Sequence, residues 1–327
     1  LPLAHAHSFL VLLGLGAGMA VMYRARTALN GGQAVDGDLG WRPWIAFAVC
    51  ALALGVPQIV ATMHGSQMQS GTFLAWQPGW DSAGHAFIPF WLYNTGLLIP
   101  LLLVALFGRL GDEPLVPRRV AWFYAPFALC FIVPNLVRLA PWVWDNIKVL
   151  IYWFLATVPV VACLLSGLLR RGGVWRGLAV AAVVVLTAAG ALDCWRVLSG
   201  QIEISIIDRD GVEFAQQVRA VTPPGAVVMH GAVFNHPLVL SGRRTFLGYP
   251  GHIWSQGLSA GNRGDMIRMI YSGGEPALAL LKQIGTDYVV VGPQERSEGT
   301  VNDSFFASMR ALARVGPYTL YQVTPKP

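Results

Sequence analysis

Six apolar stretches alternate with short polar loops in this chain, and the positive charge of those loops falls almost wholly on one side. The stretches run over residues 9–23, 44–62, 87–107, 120–134, 147–169 and 178–197. Counting the loops that follow each stretch, the first, third and fifth hold Arg24, Arg26, Arg42, Arg109, Arg118, Arg119, Arg170, Arg171 and Arg176. The second and fourth hold only Arg138 and Lys148. Basic residues close to membrane spans are retained in the cytoplasm. The expectation is therefore an α-helical membrane bundle of about six transmembrane helices, with both ends of that bundle outside. A small extracytoplasmic α/β domain follows. The domains divide at 1–198 and 199–327, and the charge pattern implies a multi-pass protein of the bacterial inner membrane.

Composition supports the membrane reading. Apolar residues make up 54% of the chain and charged residues 12%, about half the charged share of ordinary soluble proteins. The net charge of +6 divides into +5 over residues 1–198 and +1 over 199–327. The basic excess thus belongs to loops that meet anionic lipid, which argues against a nucleic-acid surface. Cys50, Cys130, Cys163 and Cys194 all lie in or beside apolar segments, so the tail has no disulfide framework, and buried free thiols are expected. The sequence starts at Leu1 almost directly in apolar residues, which implies further membrane helices upstream.

The predicted outer loops carry the unusual chemistry. One runs from His64 to His85 without Lys or Arg and contains Trp76, Trp80 and Asp81. The other runs from Pro134 through Asn135, Arg138, Trp142, Trp144, Asp145 and Asn146 to Lys148. Trp142 and Trp144 suit an interfacial belt, and Asp145 suits the N-cap of the next span. Arg138 and Lys148 oppose the chain's own charge bias. Two cations at headgroup depth, with Asp145 positioning one of them, fit a lipid phosphate; an interfacial anchor is the competing account. Asn94, inside the third stretch, either bonds a neighbouring helix or lines a substrate groove.

Beyond Gln201 the apolar runs shorten and turn signals separate them. Helices are expected over 210–220, 265–271, 275–284 and 303–314. Strands are expected over 226–230, 245–248, 287–291 and 318–323. The alternation predicts a largely parallel sheet, with ligands collecting beyond the carboxyl ends of its strands. The polar and aromatic run from Ser241 to Ser255 lies among those ends. Arg243, Arg244, Tyr249, His252 and Trp254, with His236, Glu295 and Arg296, form a candidate sugar or acceptor site, arginines gripping anions and aromatic rings stacking on sugar. A loop packed onto the membrane half is the alternative. All seven histidines lie on the predicted outer side, and His5 and His7 could share a metal. Neither a cysteine nor a paired carboxylate supports that, so no metal or cofactor is assigned, a divalent ion having no sequence support.

Residues 90–96 (Phe-Trp-Leu-Tyr-Asn-Thr-Gly) and 141–148 (Pro-Trp-Val-Trp-Asp-Asn-Ile-Lys) precede the α/β tail. With residues 248–255 and 287–296, this order resembles the C-terminal part of bacterial GT-C-type polytopic membrane glycosyltransferases. The resemblance implies transfer of a sugar from a polyprenyl-phosphate donor on the outer membrane face to a glycan or protein acceptor. It also implies a catalytic acid in an outer loop upstream of Leu1; Asp81 does not map onto that acid. The alternative is a non-enzymatic scaffold or transport partner whose exported domain binds glycan or protein.

Overall fold

The computed structural model of the protein describes residues 5–35, 37–64, 74–82, 84–140 and 142–323. The chain divides into two compact units at residues 202 and 203.

The first unit is built on helices that are apolar all round, as segments solvated by lipid must be. Helices α1 (Ala6–Leu29) and α2 (Trp41–Met63) come first. The short strand β1 (Ala75–Trp76) leads to α3 (Phe87–Thr95) and α4 (Leu98–Phe107), then to the hairpin of β2 (Arg109–Leu110) and β3 (Glu113–Pro114). Helix α5 (Arg118–Tyr124) and α6 (Leu129–Ile132) are joined by a 3-10 turn at Ala125–Ala128, and β4 (Val137–Arg138) follows. Two long helices, α7 (Ile147–Arg171) and α8 (Gly173–Leu198), complete the unit.

Four of these helices, α1, α2, α7 and α8, are long and apolar enough to cross a membrane, or five spans if the α3–α4 pair counts as one. That pair bends by 99°. Gly96 sits at the break with φ 56°, the left-handed region that stops a helix at low cost only for glycine. The stretch over 120–134 is helical in short pieces, because Pro126 and Pro134 interrupt its hydrogen-bond ladder. On α2 and α8 large apolar side chains such as Leu54, Val60, Leu192 and Val197 face outward, which is tolerable in hydrocarbon and costly in water. Trp91, Leu102, Tyr124, Trp153 and Leu164 form the inner core. Of the four free cysteines only Cys130 is buried; Cys50, Cys163 and Cys194 lie on outward helix faces, a correction to the expectation of buried thiols.

The second unit is a three-layer sandwich. It contains α9 (Arg209–Val221), β5 (Val227–Met229), β6 (Arg244–Thr245), α10 (Pro250–Ser255), α11 (Arg263–Ser272) and α12 (Glu275–Ile284). It continues through β7 (Tyr288–Val291), α13 (Pro293–Glu298), α14 (Asp303–Ala307), β8 (Arg310–Val315) and β9 (Tyr318–Gln322). The sheet order is β6-β5-β7-β9-β8. Side chains alternate across it as the strand pleat requires. Val228, Val290 and Leu320 pack with Phe214 and Val218 of α9, while Met229, Val289 and Val291 pack with Ile270, Leu281 and Phe306 on the other face.

Two expectations for this unit are corrected. The sheet is mixed: β6, β5 and β7 are parallel, but β9 runs antiparallel to both β7 and β8. The helix expected over 303–314 ends at Ala307, and its second half is the strand β8. Gly316, at φ 49°, turns β8 back onto β9, so backbone pairing across a hairpin wins over helical continuation.

Candidate functional site

Two polar constellations stand out, one in each unit. In the first unit the two loops predicted to face outward are sewn together. Strands β1 and β4 pair antiparallel with Ala75 opposite Arg138, and Gly79 N–H donates to the Asn135 carbonyl at 2.8 Å. Asn146, fully buried, donates to the carbonyls of Pro134 (2.9 Å) and Val137 (2.8 Å) and accepts from Leu139 N–H (2.9 Å). One amide thereby fixes the whole bend between β4 and α7. Trp80, buried despite its place in a loop, donates its indole N–H to the Val143 carbonyl. Its ring stacks between Trp144 and Trp91, with centroids 5.5 Å and 5.6 Å away.

Within this frame Asp145 is not the side-chain cap of α7. A 3-10 turn over Val143–Asn146 precedes that helix, and the Asp145 carboxylate instead pairs with Lys148 at 3.0 Å. The tight turn points the carboxylate along the helix toward the residue three positions on. Arg138 is half-buried on β4, and its Nε is shut off from water with no hydrogen-bond partner. Among the described residues it has no carboxylate partner. Trp142 and Trp144 are more than half exposed, as belt residues would be. Pro141 and residues 65–73 lie outside the described residues.

At the N-terminal end of α1, His5 accepts from Ser8 N–H, and the Tyr152 hydroxyl donates to Ser8 Oγ at 2.6 Å. An apolar groove of about 450 Å³ opens below this cluster, lined by His7, Leu10, Leu139 and Val149 among others.

In the second unit the predicted sugar-site residues separate into three groups. His236 and Glu295 are buried, not offered to a ligand, and their side chains meet at 2.9 Å from His236 Nε2 to Glu295 Oε1. The Glu295 carboxylate also accepts from Gly231 N–H and Gly292 N–H, each at 2.8 Å. Arg243 is spent on backbone: it donates to the Arg219 and Thr222 carbonyls at 2.7 Å and 2.8 Å, closing the C-terminus of α9. Arg296 forms a two-pronged ion pair with Asp303. Arg244, Tyr249 and His252 are exposed and Trp254 is half-buried. Tyr249 and His252 join Phe234, which sequence reasoning missed, in a cluster of three rings packed edge to face at 5.2–5.4 Å. That aromatic platform is the part of the predicted site that the fold does bring together.

His230, also missed, stacks against His236 with centroids 4.3 Å apart. His230, His236 and Glu295 have the residue types and proximity of a metal site. Their hydrogen bonds say otherwise. His236 Nδ1 accepts from Leu238 N–H, so its Nε2 carries the proton that Glu295 receives and has no lone pair for a metal. Both carboxylate oxygens already accept N–H bonds. Burial lowers the His230 pKa to about 4. Burial alone would raise the Glu295 carboxyl, but the hydrogen bond from His236 and the backbone N–H groups outweigh it and hold the pKa below its ordinary value. The cluster is thus a neutral histidine beside an ionised carboxylate, tying β5, the 3-10 turn at Pro237–Ser241 and α13 together.

No protein-family model matches this chain, and no curated protein matches it in sequence.

Proposed function

We propose that this chain is the lipid-donor and acceptor-binding part of a GT-C-type membrane glycosyltransferase, acting on a polyprenyl-phosphate-linked sugar at the outer face of a bacterial inner membrane. In this reading the chain crosses six times, residues from about 201 onward are extracytoplasmic, and the acceptor is a glycan or protein.

The observation that carries it is Arg138. A guanidinium N–H sealed from water without a partner costs free energy that an incoming anion would return. The same outer loop supplies Lys148, held by Asp145, and the neighbours of both cations in sequence, Leu139 and Val149, line an apolar groove. A phosphate head with a hydrocarbon tail matches that pairing of chemistry. The exposed rings of Phe234, Tyr249 and His252 offer a sugar a stacking face.

The test is binding of a polyprenyl-phosphate sugar to wild type, Arg138→Ala, Arg138→Lys and Lys148→Ala. Loss of one charge-assisted contact should weaken binding roughly ten- to a hundredfold, and Arg138→Lys should also lose affinity because the planar fork is gone. Normal binding by well-folded Arg138→Ala and Lys148→Ala would reduce this loop to an interfacial anchor. Tight donor binding without turnover, in a protein that also includes the catalytic acid the resemblance implies, would favour the scaffold instead.

A further inference from the structure

A second groove of about 750 Å³ lies along α7, well removed around the helix from Lys148. Its wall on α7 includes Ile147, Ile151, Phe154, Val158 and Leu165. At 1.5 Å per residue that stripe is roughly 27 Å long, close to the ~30 Å hydrocarbon core of a bilayer and about twice one leaflet. At about 100° per residue, Lys148 and Tyr152 project roughly 100–140° away from it. The groove therefore has a different mouth from the cationic one, formed by Trp80, Asp81, Trp144 and Asn94.

The hydrogen-bonding character of that mouth is selective. The indole N–H of Trp80 is spent on the Val143 carbonyl and that of Trp91 on Asn135 Oδ1. The Thr95 and Thr187 hydroxyls donate to the carbonyls of Trp91 and Val183, and the Asn94 amide donates to the Phe90 carbonyl. What remains toward the groove is the negative Asp81 carboxylate, with the Asn94 carbonyl oxygen and hydroxyl lone pairs as further acceptors, and the Trp144 indole N–H and second Asn94 amide hydrogen as donors. A phosphate brings only acceptors and negative charge, so it is opposed here. A hydroxyl group carries no charge, and it can donate to Asp81 while accepting from the Trp144 indole.

We propose that this groove binds a long-chain lipid with an uncharged, hydroxyl-bearing head, the chain lying along α7 and the hydroxyl donating to Asp81. This goes beyond the donor site and does not use Arg138 or Lys148.

The experiment uses the full chain in lipid nanodiscs with two probes, a long prenyl alcohol and its phosphate, each carrying a photoreactive diazirine on the chain. The alcohol should label peptides from residues 147–165 and 87–98. Ala162→Phe, which adds bulk within the groove, should lower that labelling severalfold. Asp81→Asn should raise labelling of the same peptides by the phosphate about fivefold, the effect of removing one opposing charge at an open site. Arg138→Ala should leave alcohol labelling unchanged, so failure of the donor site and failure of this groove are distinguishable. Equal labelling of residues 87–98, which line this groove and not the cationic one, by both probes in wild type would overturn the proposal. So would label spread evenly over the outward faces of α2 and α8, the pattern of boundary lipid only, or full alcohol labelling of a folded Ala162→Phe.

Discussion

His236 donates its Nε2 proton to Glu295 Oε1 across 2.9 Å, and both side chains are wholly removed from solvent. The two residues are 59 positions apart, so their contact locks the chain after β5 to the helix after β7. Charge in such a place persists only because every lone pair that matters is occupied. The partners of Glu295 are two backbone N–H groups and the imidazole, all donors.

Glu295→Gln should therefore destabilise the second unit strongly. The amide NH₂ of glutamine must face one of those donors, leaving buried groups unsatisfied, at a cost of about 2–4 kcal/mol. Arg296→Gln removes only a solvent-exposed ion pair with Asp303 and should leave stability near wild type. Hydrogen exchange of residues 227–231 and 288–292 in the full chain checks both. Wild-type protection in Glu295→Gln would show that the buried pair is dispensable.

The same cluster makes the second unit sensitive to acid. His230 is neutral when folded, with a pKa near 4, against about 6.5 unfolded. The unfolded chain thus binds the extra proton first, and stability falls as pH drops from 6.5 toward 4, by up to ~3 kcal/mol. The Glu295 carboxyl, lowered by folding, adds a further loss as pH falls below its unfolded value. His230→Asn keeps a side-chain N–H where Nδ1 meets the Gly231 carbonyl and removes the titration. Its stability should be flat between pH 6.5 and 5, where the wild type already declines. Parallel pH profiles for the two proteins would refute the assignment.

Much of the second unit was legible in sequence because its signals are local. Helix α12 carries a proline in its first turn and a glycine in the left-handed region just past its end, and its bounds match the expectation. Strand β8 was not legible: Phe305, Phe306, Met309, Leu312 and Ala313 repeat with helical spacing, and only pairing with β9 overrides it. A Gly-Pro pair at 316–317 between two apolar runs was the available signal. The His236–Glu295 contact was not legible, since nothing in either local sequence distinguishes a buried carboxylate from an exposed one. In the first unit the outer-loop tryptophans and the two cations were plain in sequence. That Trp80 is buried while Trp142 and Trp144 are exposed follows from the β1–β4 pairing, which two-residue strands do not announce.

Asn146 is the residue on which the bend between β4 and α7 depends. Asn146→Leu keeps the size but orphans the Pro134 and Val137 carbonyls and the Leu139 N–H. Three unpaired backbone groups cost on the order of 3 kcal/mol or more. The thermal midpoint of the first unit should drop by several degrees, and binding of the polyprenyl-phosphate probe should weaken although neither cation is touched. An unchanged midpoint would mean that another contact holds the bend.

The 99° break between α3 and α4 sharpens the question of topology. If the pair crosses the membrane as one broken span, Arg109 to Arg119 lie in the cytoplasm, as the nine-to-two distribution of basic loop residues requires. If the pair dips in and returns, the β2–β3 hairpin stays on the side from which α3 entered. Single cysteines at Asp112 and Ser304, both exposed, separate these cases in a background with the four native cysteines replaced. In intact cells a membrane-impermeant thiol reagent should label Ser304→Cys and leave Asp112→Cys unlabelled until the membrane is permeabilised. Labelling at both positions would make α3 and α4 a re-entrant pair on the outer face. Labelling at Asp112→Cys alone would invert the charge-based orientation, and the lipid-phosphate reading of Arg138 would then have to be abandoned for the outer leaflet.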